Sequence, residues 1–160
     1  TIYTPEGFMD KNPARVLETI SHETRHVMDY KSNPFFYILG YGFPQILAIP
    51  VLVALLALGC GWWSLFALAL LAPIPSYWRY KAELRAYRTS LLLGKYVYKF
   101  NDKELQVTKD WIVMQMTERW YYWAWPFAKS IKKDLEDSSY EQEPFYKDLL
   151  KFCTDHQVKL

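Results

Sequence analysis

The sequence predicts a mainly α-helical chain, with at most short strands, interrupted by an apolar two-helix hairpin. Three observations carry this reading. Asn12-Pro13 is an explicit helix start, a capping side chain followed by proline at the first helical position. No Asp, Glu, Lys or Arg occurs between Lys31 and Arg79, so residues 32–78 are uncharged throughout. The rest of the chain alternates apolar and charged residues at helical spacing.

The 160 residues are enough for one domain with a real core, so no disulfide framework is needed. The two cysteines, Cys60 and Cys153, are too few for a disulfide scaffold or a Cys-rich zinc finger. Nineteen Lys and Arg against 17 Asp and Glu give a net charge of +2, which argues against nucleic-acid binding by charge. An aromatic share of 18% excludes disorder over most of the length. The chain begins at Thr1 rather than Met, so residues upstream of it are expected.

Taken in order, Ile2-Tyr3-Thr4 reads as a short strand ended by Pro5-Glu6-Gly7. The first helix should run from Pro13 to about Tyr30 and stop before Asn33-Pro34. Two apolar helices follow, roughly 34–58 and 62–78, with Gly59-Cys60-Gly61 as the break between them. A membrane span needs about 20 apolar residues, and a surface helix of a soluble protein needs a polar face that this stretch lacks. Trp62, Trp63, Tyr77, Trp78 and Tyr80 flank the segments as aromatic residues do at a water–lipid boundary. Pro44, Pro50, Pro73 and Pro75 should kink or shorten the helices. The stretch is internal and double, with no basic leader, so it is not a signal peptide.

After the hairpin a helix should run from about Tyr80 to Leu93 and end at Gly94. Tyr96 to Phe100 alternates well enough for a short strand or a loop. Glu104 to about Arg119, Lys129 to Asp137 and Pro144 to Cys153 read as helices. Between them lies the aromatic run from Trp120 to Phe127. The expected organisation is one domain with the hairpin inserted. Residues 1–33 form the N-terminal segment and first helix, 34–78 the hairpin, and 79–160 the returning helix and C-terminal region.

At about 100° per residue, Val16, Ile20, Glu23 and Val27 fall within roughly 60° of one another. A carboxylate on such an apolar stripe must be paired, protonated or near a metal. His22 and His26 lie on the flank of that stripe, one turn apart, and their imidazoles can converge on one ion. The string is His22-Glu23-Thr24-Arg25-His26.

This HExxH segment resembles the active-site helix of the zincin metallopeptidases. The resemblance implies that His22 and His26 bind Zn2+ and that Glu23 is the general base. The metzincin continuation is excluded, because Asp29 and Ser32 stand where its glycine and third ligand would be. The gluzincin form takes a glutamate from a following helix, often with a small residue three positions later. Glu83 and Ala86 fit that pattern, and a hairpin returns Glu83 to the side of the chain on which His22 and His26 lie. Asp29 is an alternative ligand, or an acceptor behind a ligand imidazole. A surface histidine pair, and a salt bridge of Glu83 with Arg79 or Arg85, are the competing structural readings.

The expected fold is mainly α, with zincin-like active-site helices interrupted by a transmembrane hairpin, which departs from soluble zincins. The implied activity is a membrane-associated zinc peptidase acting on a peptide or protein through a metal-activated water. Tyr87, Tyr80 and Arg88 are candidates for stabilising the oxyanion, and Ile2-Tyr3-Thr4 is a candidate edge strand for an extended substrate. Basic residues flank both ends of the hairpin and none lies at its turn, so two spans with a cytoplasmic metal site are expected. The run Trp120 to Phe127, followed by Lys129, Lys132 and Lys133, suits either that interface or a buried core.

The alternative function is a non-catalytic, metal-stabilised anchoring component of a larger assembly, such as a viral particle or envelope complex. In that case it is virion-associated. A hairpin acting only to permeabilise membranes ranks last, because it leaves HExxH without a role.

Overall fold

The computed structural model describes residues 7–8, 12–71, 75–118 and 125–156. It is mainly α-helical, with no strand among the described residues. Helix α1 (Pro13–Ser32) starts where Asn12 accepts a 2.9 Å hydrogen bond from the Ala14 amide. Asn33 ends α1 and also caps α2 (Pro34–Gly42), accepting from the Phe36 amide. Helix α3 (Ala48–Ala57) and a 3-10 helix (Gly61–Leu71) form the apolar arm. Helices α4 (Tyr77–Tyr96), α5 (Asp102–Thr117), α6 (Ala128–Glu136) and α7 (Pro144–Asp155) complete the chain. Asn101 and Glu104 form a reciprocal capping box at the start of α5.

Helix α4 is the hub, with α1, α2, α5, α6 and α7 packed around it. Its Tyr80, Leu84, Tyr87 and Leu91 meet Ile112, Val113 and Met116 of α5 and Ile131 and Leu135 of α6. Each fully buried Leu or Ile contributes about 1.5–3 kcal/mol, so this bundle stabilises the fold. Because neighbours surround α4, polar side chains on it are buried as well, Glu83, Thr89 and Ser90 among them.

The apolar stretch departs from the two expected helices. No single helix in it is long and apolar enough to cross a membrane. The first expected helix is broken at Phe43-Pro44, where α2 and the following segment meet at 92°. Proline supplies no amide and keeps Phe43 extended, at φ −73° and ψ 139°. Pro50 is tolerated because it lies in the first turn of α3, where amides have no helical partner anyway. The second expected helix is an 11-residue 3-10 segment, and Tyr77 and Trp78 belong to α4 instead. The turn at Gly59 and Gly61 falls where expected, and both glycines have positive φ.

Two further differences have local causes. Tyr96 to Phe100 forms no strand, because its amides close the end of α4: Tyr98 donates to the Leu93 carbonyl and Phe100 to Gly94. Gly94 does not end the helix; it admits the Phe100 ring, which would lie 2.8 Å from an added Cβ. The expected strand Ile2-Tyr3-Thr4, Pro73 and residues 120–124 of the aromatic run lie outside the described residues. Trp125, from the same aromatic run, stacks on Tyr80 at 5.1 Å and packs against the bundle core.

Candidate metal centre and adjoining cleft

Helix α1 packs on α4 through a face that carries buried Ser21 and Arg25. The stripe of Val16, Ile20 and Val27 lies roughly 140° around the helix from that face at about 100° per residue. These three residues are only half-buried, and Glu23 is exposed. The expectation that Glu23 sits on a buried stripe is therefore corrected. Hydrophobic phase predicts a packing face only when apolar residues do the packing, and here a polar face packs on α4.

That polar face brings His22 and His26 to Glu83 on α4. His22 Nε2 and His26 Nε2 are 3.3 Å apart, and Glu83 Oε2 lies 3.5 Å from each. Edges of this length belong to a tetrahedron whose centre is about 2.0–2.1 Å from each corner. Glu83 is 2% exposed, and its Oε2 accepts no well-directed hydrogen bond. A buried carboxylate oxygen left this way is costly, and a cation between it and the two imidazoles would satisfy it. The cluster could hold a metal ion.

Two tyrosines of α2 support the cluster from behind. Tyr41 donates a 2.6 Å hydrogen bond to Glu83 Oε1, which leaves Oε2 directed at the imidazoles. The Tyr37 hydroxyl is 3.0 Å from His26 Nδ1 and can fix that ring's tautomer. The two rings stack at 5.6 Å, one helical turn apart. Neither residue was singled out from sequence. The available signal was their spacing of four, two polar tips on one face of an otherwise apolar helix.

Electrostatics follow from this packing. Burial pushes the Glu83 carboxyl upward, but the two imidazoles and the Tyr41 hydroxyl outweigh it and hold the group at about 2. For His26 burial opposes charge, yet the Glu83 carboxylate, helped by Glu23 and Asp29, raises it above its ordinary value.

Asp29 is neither a ligand nor an acceptor for an imidazole. Arg85 holds it at 2.8 and 2.9 Å, and Arg25 at 3.1 Å. Arg25 also reaches Glu143 at 3.1 Å and stacks on Phe145 and Tyr146, tying α7 to α1. Arg79 turns to the Tyr41 carbonyl and Gln45, so neither arginine pairs with Glu83.

A cleft of about 640 Å³ opens beside His22 and Glu23. Tyr87, Tyr98, Phe100 and Trp111 line it, with Arg15 and Glu18 among its charged residues. Of the three oxyanion candidates, only Tyr87 lines this cleft, with its ring 4.7 Å from that of His22. Tyr80 donates to Asp134, and Arg88 to the Asp134 carbonyl. No family model, no curated protein and no solved structure matches this chain.

Proposed function

We propose that this chain is a membrane-associated zinc peptidase whose ion is held by His22, His26 and Glu83. The observation that carries the reading is the triangle of two Nε2 atoms and one buried Oε2, with edges of 3.3, 3.5 and 3.5 Å, beside an open cleft. Two imidazoles and a carboxylate suit zinc and leave a fourth position open. When bound, such an ion supplies Lewis-acid activation of water and of a carbonyl group.

The chain's own residues supply the rest. Glu23 is exposed at the cleft beside His22, where its carboxylate can accept the proton of an attacking water. Tyr87, which lines the cleft with its ring against His22, is the candidate donor to a developing oxyanion. The aromatic walls of the cleft favour an apolar side chain of a peptide substrate. The uncharged arm and the basic residues at its base support membrane association, with the metal site on the basic, cytoplasmic side.

Metal analysis of the purified chain, followed by peptide-library cleavage, tests this. One zinc per chain lost in His22→Ala, together with cleavage lost in Glu23→Gln, is expected. Full zinc without cleavage of any peptide would leave a metal-stabilised anchoring role within a larger assembly.

A further inference from the structure

The arm is packed inside out relative to a soluble hairpin. Its buried residues are the small ones, Ala48 of α3 and Ser64 and Ala67 of the 3-10 helix. Many of its large residues point outward and none is buried: Ile49 is 73% exposed, Leu58 77%, Trp62 87% and Phe66 67%, while Val51, Leu52, Leu55 and Leu70 are half-buried. Small residues between helices and large apolar ones outside is how helices pack in lipid. A protein partner would need one apolar face; here both helices expose large side chains along their length, without a charge among them. The tip is open too, since an added Cβ at Gly59 or Gly61 would meet nothing within 4 Å.

Length then decides how deep such an arm reaches. The helical segment Gln45–Ala57, which ends in α3, extends about 20 Å at 1.5 Å per residue. The 11 residues of the 3-10 helix extend about 22 Å at 2.0 Å per residue. The hydrocarbon core is about 30 Å thick, so one leaflet is about 15 Å. Neither helix reaches the far side. The 92° bend at Phe43-Pro44 turns α2 across the direction of the segment that follows. With the arm along the membrane normal, α2 lies near the membrane plane. Phe35, Phe36 and Ile38 of α2 are more than half exposed, while Tyr37 and Tyr41 face the His22–His26–Glu83 cluster. Exposed Tyr77 and Trp78, followed by Arg79 and Lys81, stand where the arm rejoins the bundle, as residues of the headgroup layer do.

We propose that α3 and the 3-10 helix enter the bilayer from one face as a re-entrant arm, with α2 lying in the interface, and that the chain does not cross the bilayer. This rests on the membrane association proposed above and replaces the two spans expected from the sequence with none. The catalytic cleft would then be held at the surface of a single leaflet.

Cys60, at the tip, is the probe. The full chain carrying Cys153→Ser is reconstituted in phosphatidylcholine–phosphatidylglycerol vesicles, and a polar, impermeant maleimide is supplied outside or trapped inside. Wild-type chain is compared with Trp62→Phe/Trp63→Phe in vesicles of lipid brominated near the chain ends or near the headgroups. That second measurement stands if Cys153→Ser does not fold. Expected are a Cys60 protected from both sides until detergent is added, and Trp62 and Trp63 quenched most by chain-end bromine. Labelling of Cys60 from the side opposite the helical bundle would establish two spans, and stronger quenching by headgroup bromine would put the tip in a headgroup layer; either overturns the proposal while leaving membrane association intact. Cys60 labelled from the bundle side in a chain that floats would overturn the re-entrant arm alone, and a chain that stays at the bottom of a flotation gradient would overturn both.

Discussion

Tyr41 donates a 2.6 Å hydrogen bond to Glu83 across 42 positions of sequence, joining the apolar segment to the centre of the helical bundle. The bond engages Oε1 and leaves Oε2 facing His22 and His26 at 3.5 Å. It therefore fixes which oxygen of Glu83 is offered to an ion.

Tyr41→Phe and Tyr37→Phe should each weaken zinc binding by about 10- to 100-fold, as loss of a partner behind a metal ligand typically does. Competition with a chromophoric chelator measures this. Equal affinity in both variants and wild type would remove the two tyrosines from the site's design.

Glu23→Gln should keep zinc content and folding while lowering peptide hydrolysis by about 10²-fold or more, because the amide cannot accept the proton. His22→Ala should lose the ion and hydrolysis together. Both are read in one peptide-library assay beside metal analysis, and undiminished turnover in Glu23→Gln would take that residue out of the mechanism.

Tyr87→Phe should lower kcat with little change in KM, by about 10²-fold if its hydroxyl meets the oxyanion. Steady-state kinetics on one cleaved peptide decide it. A change confined to KM would instead assign Tyr87 to substrate binding.

The pH dependence should differ in sign between metal-free and zinc-loaded protein. Glu83 is held down from 4.5 to about 2, so its contribution to metal-free stability is present above 4.5 and is lost as pH falls toward 2. His26 is raised from 6.5, so its contribution is complete below 6.5 and is lost as pH rises through its elevated value. Zinc requires neutral imidazoles, so the stabilisation it adds should grow over the same rise. Thermal unfolding with and without zinc across this range tests both directions, and parallel curves would contradict the prediction.

Asp29→Ala should destabilise the fold by about 1.5–3 kcal/mol, because the mostly buried Arg25 loses one of its two carboxylate partners and Arg85 loses its own. Urea unfolding measures this, and the loss should appear even in metal-free protein.

The helices around the site were legible in the sequence because their signals are local. Asn12-Pro13 starts its helix and Asn33-Pro34 stops it where the sequence placed them, whereas α5 begins at Asp102 under an Asn101–Glu104 capping box, two residues before the expected start. The four-residue spacing of His22 and His26 places both on one helix face whatever surrounds them. The length of the uncharged run, and its turn at Gly59 to Gly61, were equally plain.

Tertiary structure decided what depends on which faces meet. Glu83 was a candidate by spacing, but only the packing of α1 on α4 brings its Oε2 to the two imidazoles. The apolar stripe of α1 pointed to the wrong packing face, because Ser21 and Arg25 occupy the buried one. Arg25 tolerates that burial through carboxylates supplied by Asp29 of its own helix and Glu143 beside α7. Tyr37 and Tyr41 gained their roles from the break at Phe43-Pro44, which sets α2 at 92° to the segment beyond it. Capping and periodicity act over a few residues and can be read along the chain, whereas a triangle of candidate ligand atoms assembled from two helices exists only once the bundle has folded around α4.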